Sequence, residues 1–138
     1  MKAIILAGGK GTRLADYTKL IPKPMVKIKN KPIIVYIIEH FFKYDVKEII
    51  IASGYKHNII KNYFSNKKIP KDTNIKVINT GLSSLTGQRI KKLKRYFSKD
   101  EVFFVTYGDG VSNVNLKKLL KFHNKNKKTA TLTAVHPP

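Results

Sequence analysis

The stretch Lys2-Ala-Ile-Ile-Leu-Ala-Gly-Gly-Lys-Gly-Thr-Arg-Leu14 decides how this chain reads. Ala3 to Ala7 is an unbroken apolar run of strand length, the pattern of a parallel strand covered on both sheet faces. It stops at Gly8. Gly8, Gly9 and Gly11 remove three side chains, so backbone N–H groups can curl around a bulky anion such as phosphate. The glycines alone would serve equally well as a plain turn between strand and helix. Two familiar phosphate loops do not fit. The P-loop requires Ser or Thr after Gly-Lys, where Gly11 follows Lys10, and the dinucleotide fingerprint requires a third glycine where Leu14 stands.

Outward from that stretch, Pro22-Lys-Pro-Met25 forbids helix and is expected to hold Lys23 extended. Met25 to Ile28 reads as a short strand turning at residues 29–31, and Pro32 suits the first turn of a buried helix over Ile33 to Tyr44. Glu48 to Ser53 is a second parallel strand, followed by a helix from His57 to Phe64 and a polar loop over residues 65–73. His57 reads as a helix-start or surface residue rather than a ligand. Ile75 to Ile78 is the next strand. Thr86 opens a helix with Ile90, Leu93 and Phe97 on one face, whose N-terminus would suit a phosphate or a base edge. Glu101 to Thr106 is a further strand, and a helix from about Asn115 to Asn126 is capped by Ser112 or Asn113. Thr129 to Val135 alternates Thr with apolar residues and reads as a fifth strand. Strand and helix alternate throughout, so the expected fold is α/β: a Rossmann-like, doubly wound, mostly parallel sheet in three α/β/α layers.

The chain has 138 residues, one domain's worth. No apolar run is long enough to span a bilayer and no charged-then-apolar leader opens the chain, which makes a cytoplasmic protein the expectation. Without cysteine there is neither disulfide nor thiolate metal site. A formal charge of +20 would by itself suggest a nucleic-acid partner. The basic residues are nearly all lysine, however, and spread over nearly every helix and loop, as a solvated surface would have them. The three arginines, Arg13, Arg89 and Arg95, are more informative, because guanidinium offers phosphate a rigid fork that lysine cannot copy. Arg13 falls in the first glycine loop and Arg89 in a second, Asn79 to Arg89. Among the few acids, Asp109 alone sits between two glycines just past a buried strand, the edge where open α/β sheets bind ligands. It could anchor a hard cation facing a triphosphate, or simply serve a Gly-Asp-Gly turn.

Gly-Gly-Lys-Gly-Thr-Arg-Leu at 8–14 together with Pro22-Lys-Pro24 resembles the signature of the sugar-phosphate nucleotidylyltransferases, or NDP-sugar pyrophosphorylases. Thr80-Gly81 with Ser83-Ser84, Thr86-Gly-Gln-Arg89, Thr106-Tyr-Gly-Asp-Gly110 and Ala130-Thr-Leu-Thr-Ala134 are most similar to the glucose-1-phosphate cytidylyltransferases within it. The resemblance implies that CTP and α-D-glucose 1-phosphate give CDP-glucose and pyrophosphate with Mg²⁺, a step toward deoxysugars of surface polysaccharides. It implies that Gly8, Gly9, Gly11, Thr12 and Arg13 hold the triphosphate, with Leu6, Ala7 and Gly108 also at the nucleotide. Lys23 would contact the reacting phosphates and act with Arg13 in catalysis. Thr80, Gly81, Thr86, Gly87 and Arg89 would face the nucleotide, and Asp109 would bind the metal. The family is roughly twice this length, its later half supplying a further metal carboxylate, a Glu-Lys-Pro lysine and most of the sugar pocket. The expectation is therefore that residues 1–138 are the nucleotide-binding part, the sugar-binding half being absent, of a protein that forms a homo-oligomer when complete. The region between Phe64 and Ile75 is also shorter than in many cytidylyltransferases. The remaining alternatives are a remnant that binds nucleotide without turnover and a basic nucleic-acid-binding module. No nucleic-acid or membrane partner is expected.

Overall fold

The computed structural model describes residues 1–11, 20–66 and 70–136. In chain order the elements are β1 (Lys2–Ala7), the small hairpin of β2 (Lys27–Ile28) and β3 (Lys31–Pro32), α1 (Ile33–Lys43), β4 (Glu48–Ser53), α2 (His57–Asn66), β5 (Asn74–Asn79), α3 (Thr86–Lys92), β6 (Phe103–Tyr107) and α4 (Leu116–Asn126). Two 3-10 turns, Lys23–Met25 and Lys94–Tyr96, complete them.

The apolar run of β1 occupies the middle of a four-stranded sheet of order β5-β4-β1-β6, and every pairing in it is parallel. Side chains alternate between the two faces of a strand, so β1 and β4 each contribute to two cores. Ala3, Ile5 and Ala7 with Ile49 and Ile51 meet α1, α2 and α4 through Ile34, Ile38, Ile60, Phe64 and Leu116. Ile4 and Leu6 with Ile50 and Ala52 meet α3 and the turn after it through Ile90, Leu93, Tyr96 and Phe97. Ile4, Ile5, Ile49 and Ile51 are essentially unexposed, and each such side chain contributes about 1.5–3 kcal/mol of hydrophobic stabilisation. The result is a three-layer α/β/α arrangement.

Connectivity matters more for function than packing. From β1 the chain moves outward through β4 to β5, then returns past β1 to β6 on its other side. Strand order reverses between β1 and β6, and a crevice opens at the carboxyl ends of strands at such a point.

Three expectations are corrected here. Helix α4 is capped by Asn115, whose Oδ1 accepts from Lys118 N–H at 3.0 Å, rather than by Ser112 or Asn113. Thr129 to Val135 forms no strand. Leu132 and Val135 are 90% and 82% exposed, and the local tie is between His123 Nδ1 and Thr131 Oγ1 at 2.9 Å. Alternation of Thr with apolar residues suits a pleated surface, but a strand persists only when another strand and a core cover it. Lys23 is not in an extended stretch either. Pro22 precedes a 3-10 turn in which Pro24 sits where a missing N–H costs nothing, and Met25 N–H donates to Pro22 O at 2.8 Å.

Candidate nucleotide-binding site

A cavity of about 350 Å³ lies at the carboxyl ends of β1 and β6. Leu6, Ala7, Gly8, Gly9 and Gly11 line one wall as β1 runs out, and Tyr107 and Asp109 line another beyond β6. Lys23 and Pro24 close one side, while Ser84, Leu85, Thr86 and Arg89 close the other. Segments far apart in sequence thus meet in one crevice.

The position of Lys23 is set by Pro24 and Gly108. Gly108 N–H donates to Leu6 O at 2.9 Å, carrying the β1–β6 ladder past the end of the strand. A Cβ on Gly108 would stand 2.9 Å from Pro24 Cγ. Gly108 is therefore glycine so that the 3-10 turn can rest against the loop. That contact brings Lys23 Nζ to 2.5 Å from Asp109 Oδ2, with the two side chains 30% and 31% exposed. The phosphate-contacting lysine and the metal-binding carboxylate expected from the sequence are adjacent, and they are paired with each other.

Arg89 is the second organising group. Its side chain reaches from α3 to the ends of β1, β4 and β5, and only 5% of the residue is exposed. Nη1 donates to Thr80 Oγ1 at 2.7 Å, to Gly81 O at 2.7 Å and to Ser53 O at 3.3 Å. Nη2 donates to Gly8 O at 3.0 Å and Leu82 O at 3.4 Å. The fork read from the sequence as a phosphate ligand is engaged by carbonyl and hydroxyl oxygens. Burial, which disfavours the charged form, lowers its pKa from the ordinary arginine value.

Thr80 is 1% exposed; its hydroxyl donates to Ser53 O at 2.7 Å and accepts from Arg89. Gly81, at φ +96°, occupies backbone space that only glycine enters without strain. Lys92 Nζ ties the loop back, donating to Thr80 O and Ser84 Oγ, both at 2.8 Å. Of the residues expected to face the nucleotide, Thr86 and Arg89 line the cavity, whereas Thr80, Gly81 and Gly87 lie outside its lining. The seven-residue α3 has its first turn closed by Leu85 N–H donating to Gln88 Oε1 at 2.9 Å. Thr12 and Arg13 lie outside the described residues. Sequence reasoning missed Pro24, Ser84, Leu85 and Tyr107 as lining residues. Pro24, Ser84 and Tyr107 lie within the quoted motifs without having been assigned to the site, and Leu85 adjoins one.

Among the described lining residues Asp109 is the one carboxylate that could hold a hard divalent cation. Among the described residues no three His, Asp or Glu side chains cluster for a metal. Asp109 would then supply one carboxylate oxygen while phosphate and water supply the rest, an arrangement Mg²⁺ accepts.

A family model described as nucleotidyl transferase matches residues 2–138. The chain belongs to the nucleotidyl transferase family. Over 158 aligned positions it is 41% identical to the glucose-1-phosphate cytidylyltransferase of Salmonella typhimurium, covering 100% of this chain and 62% of that protein. It is 40% identical to the D-glycero-alpha-D-manno-heptose 1-phosphate guanylyltransferase of Campylobacter jejuni, over 86% of this chain and 52% of that one. Among solved structures, HddC from Yersinia pseudotuberculosis complexed with GMP-PN superposes with a TM-score of 0.73 at 30% identity, covering 88% of this chain and 53% of the other. A putative glucose-1-phosphate thymidylyltransferase from Bacillus anthracis superposes with a TM-score of 0.79 at 21% identity, a likeness of fold. This nucleotidyl transferase chain spans about three fifths of the length of the cytidylyltransferase it matches. In the family, then, the glycine bend, Lys23 and Asp109 belong to a fold whose members include sugar-phosphate nucleotidylyltransferases. No helix among the described residues is long and apolar enough to cross a membrane.

Proposed function

We propose that residues 1–138 are the nucleotide-binding part of a sugar-phosphate nucleotidylyltransferase that uses CTP and glucose 1-phosphate. The observation that carries this reading is the meeting of the glycine bend after β1 with Lys23 and Asp109 in one crevice at the strand-order reversal. The choice of CTP and glucose 1-phosphate follows the 41% identity to the Salmonella typhimurium protein of that name. In the reaction, an oxygen of the sugar phosphate attacks the α-phosphorus of the nucleotide in line. The bond to the β-phosphate breaks and pyrophosphate departs with the electron pair.

Neither reactant needs a protein nucleophile, so catalysis consists of aligning two polyanions and neutralising their charge. The backbone N–H groups of the Gly8–Gly11 bend would hold the triphosphate, and Lys23 would follow the charge that develops on the reacting phosphates. Arg13 would share that work. Asp109 would hold Mg²⁺, which when bound supplies charge neutralisation on the triphosphate. Lys23 must then leave Asp109 or share it.

The test is to measure, on one preparation, binding of CTP, UTP, dTTP and GTP with Mg²⁺ and pyrophosphate release in the presence of glucose 1-phosphate. Tightest binding of CTP, with release of pyrophosphate, supports the reading. CTP binding without release reduces it to nucleotide binding, and no preference for any Mg²⁺-nucleotide contradicts it.

A further inference from the structure

We propose that Arg89 is a positioning residue that clips the glycine bend after β1 to the Thr80–Leu82 loop, so that the nucleotide crevice is formed before any nucleotide arrives. The inference rests on the nucleotide-binding reading only for its binding measurements. Its structural part stands alone.

The geometry is unusually tight. One guanidinium bonds the carbonyl of Gly8, at the end of β1, and the carbonyls of Gly81 and Leu82, after β5. It also reaches Ser53 O at the end of β4. A Cβ on Gly8 would stand 2.1 Å from Nη1, and one on Gly54 would stand 2.7 Å from Nη1 and 2.6 Å from Gly81 O. Gly9, by contrast, has nothing within 4 Å of a built Cβ. Gly8 is thus glycine because the guanidinium lies against it, and Gly54 because the guanidinium and the Gly81 carbonyl both do, whereas Gly9 leaves its space to the cavity. A lysine could not do the same work. Its single ammonium is a point donor, whereas the flat fork places donors toward two loops at once. Gly8 O also accepts the Tyr55 N–H at 3.1 Å, and Thr80 N–H donates to Ser53 O at 2.8 Å. Those two amides therefore report on the clip.

The test uses hydrogen exchange on the ligand-free protein, then nucleotide titration. In the wild type the Tyr55 and Thr80 amides should be protected. In Arg89→Lys they should exchange at least about tenfold faster, while the central β1–β4 ladder changes little. With Mg²⁺, affinities for CTP, CDP and CMP should fall by one common factor of about ten or more, because a displaced loop harms every nucleotide alike. A guanidinium that bound phosphate directly would instead give a loss that grows with phosphate count. That graded loss, unchanged exchange in Arg89→Lys, or rapid exchange of both amides in the wild type would each overturn the proposal. Should Arg89→Lys not fold, Arg89→Gln, which keeps a shorter planar donor at the same helix position, must show the same exchange pattern. Failure of the wild type to bind any nucleotide would refute the proposed function, while the exchange result would still decide the clip.

Discussion

Replacing Asp109 by Asn should change nucleotide affinity in opposite directions with and without metal. In the protein as it stands, Lys23 Nζ is 2.5 Å from Asp109 Oδ2. A triphosphate entering without a cation must meet the carboxylate as a like charge and also draw Lys23 away from it. The variant removes the repulsion and frees the ammonium. For a phosphate charge about 6 Å from the lost carboxylate, an effective dielectric between about 80 and 20 gives roughly 0.7–2.8 kcal/mol, centred near tenfold in affinity. The ion pair itself is a third exposed and is worth no more than about 1 kcal/mol, and its loss adds to the gain because the variant need not break it on binding. On the proposed assignment Asp109 anchors Mg²⁺, and its loss should then weaken CTP binding in Mg²⁺ by about tenfold or more. Titration calorimetry with CTP, once in chelator and once in excess Mg²⁺, reads both numbers. Tighter binding in chelator together with weaker binding in Mg²⁺ is the expected pair of results. Equal shifts in both conditions, or none, would refute the electrostatic reasoning.

Gly8→Ala should destabilise the protein by about 3 kcal/mol or more, because its Cβ would displace a buried guanidinium and strand its partners. Gly9→Ala, with open space at its Cβ, should leave the urea midpoint within about 0.5 kcal/mol of wild type yet weaken CTP binding by intruding on the cavity. Glu101 is held below its ordinary value by the Ser98 N–H and by Lys2 Nζ, at 2.9 and 3.0 Å. A carboxylate lowered on folding stabilises the fold above its unfolded pKa and loses that effect as pH falls through the lower folded value. The difference in urea midpoint between wild type and Glu101→Gln should therefore shrink on acidification. His57 is lowered by burial and then by Lys61, while its Nδ1 faces Ser53 Oγ at 2.7 Å. The unfolded chain then binds the proton more readily, so stability should decline as pH falls through about 6.5. His57→Asn should flatten that slope in a pH series of denaturation curves.

The parallel core was legible because Ala3–Ala7 and Ile49–Ile51 are continuous apolar runs, which a sheet covered on both faces demands. The lining of the crevice was legible at Gly9, Lys23 and Asp109, which the motifs single out and the fold brings together. The partners of Arg89 were not legible, because they are carbonyls drawn from three separate strand ends that only the folded chain brings together. Gly8 and Gly54 were opaque for the same reason, since only tertiary contact shows that a guanidinium, joined at Gly54 by the Gly81 carbonyl, takes the place of their missing side chains. Thr129–Val135 had strand-like alternation but no strand beside it, and local pattern cannot report a missing neighbour.

Binding of Mn²⁺ together with CTP, followed through amide resonances, tests the central claim most directly. The paramagnetic ion broadens nearby nuclei steeply with distance, and the two ends of a six-residue strand lie about 17–20 Å apart. Selective loss of the Gly9, Gly108, Asp109 and Gly110 signals, with Glu48 and Asn74 at the opposite sheet edge still sharp, is the result the account predicts. Broadening centred on that opposite edge, or spread evenly over the lysine-rich surface, would contradict it.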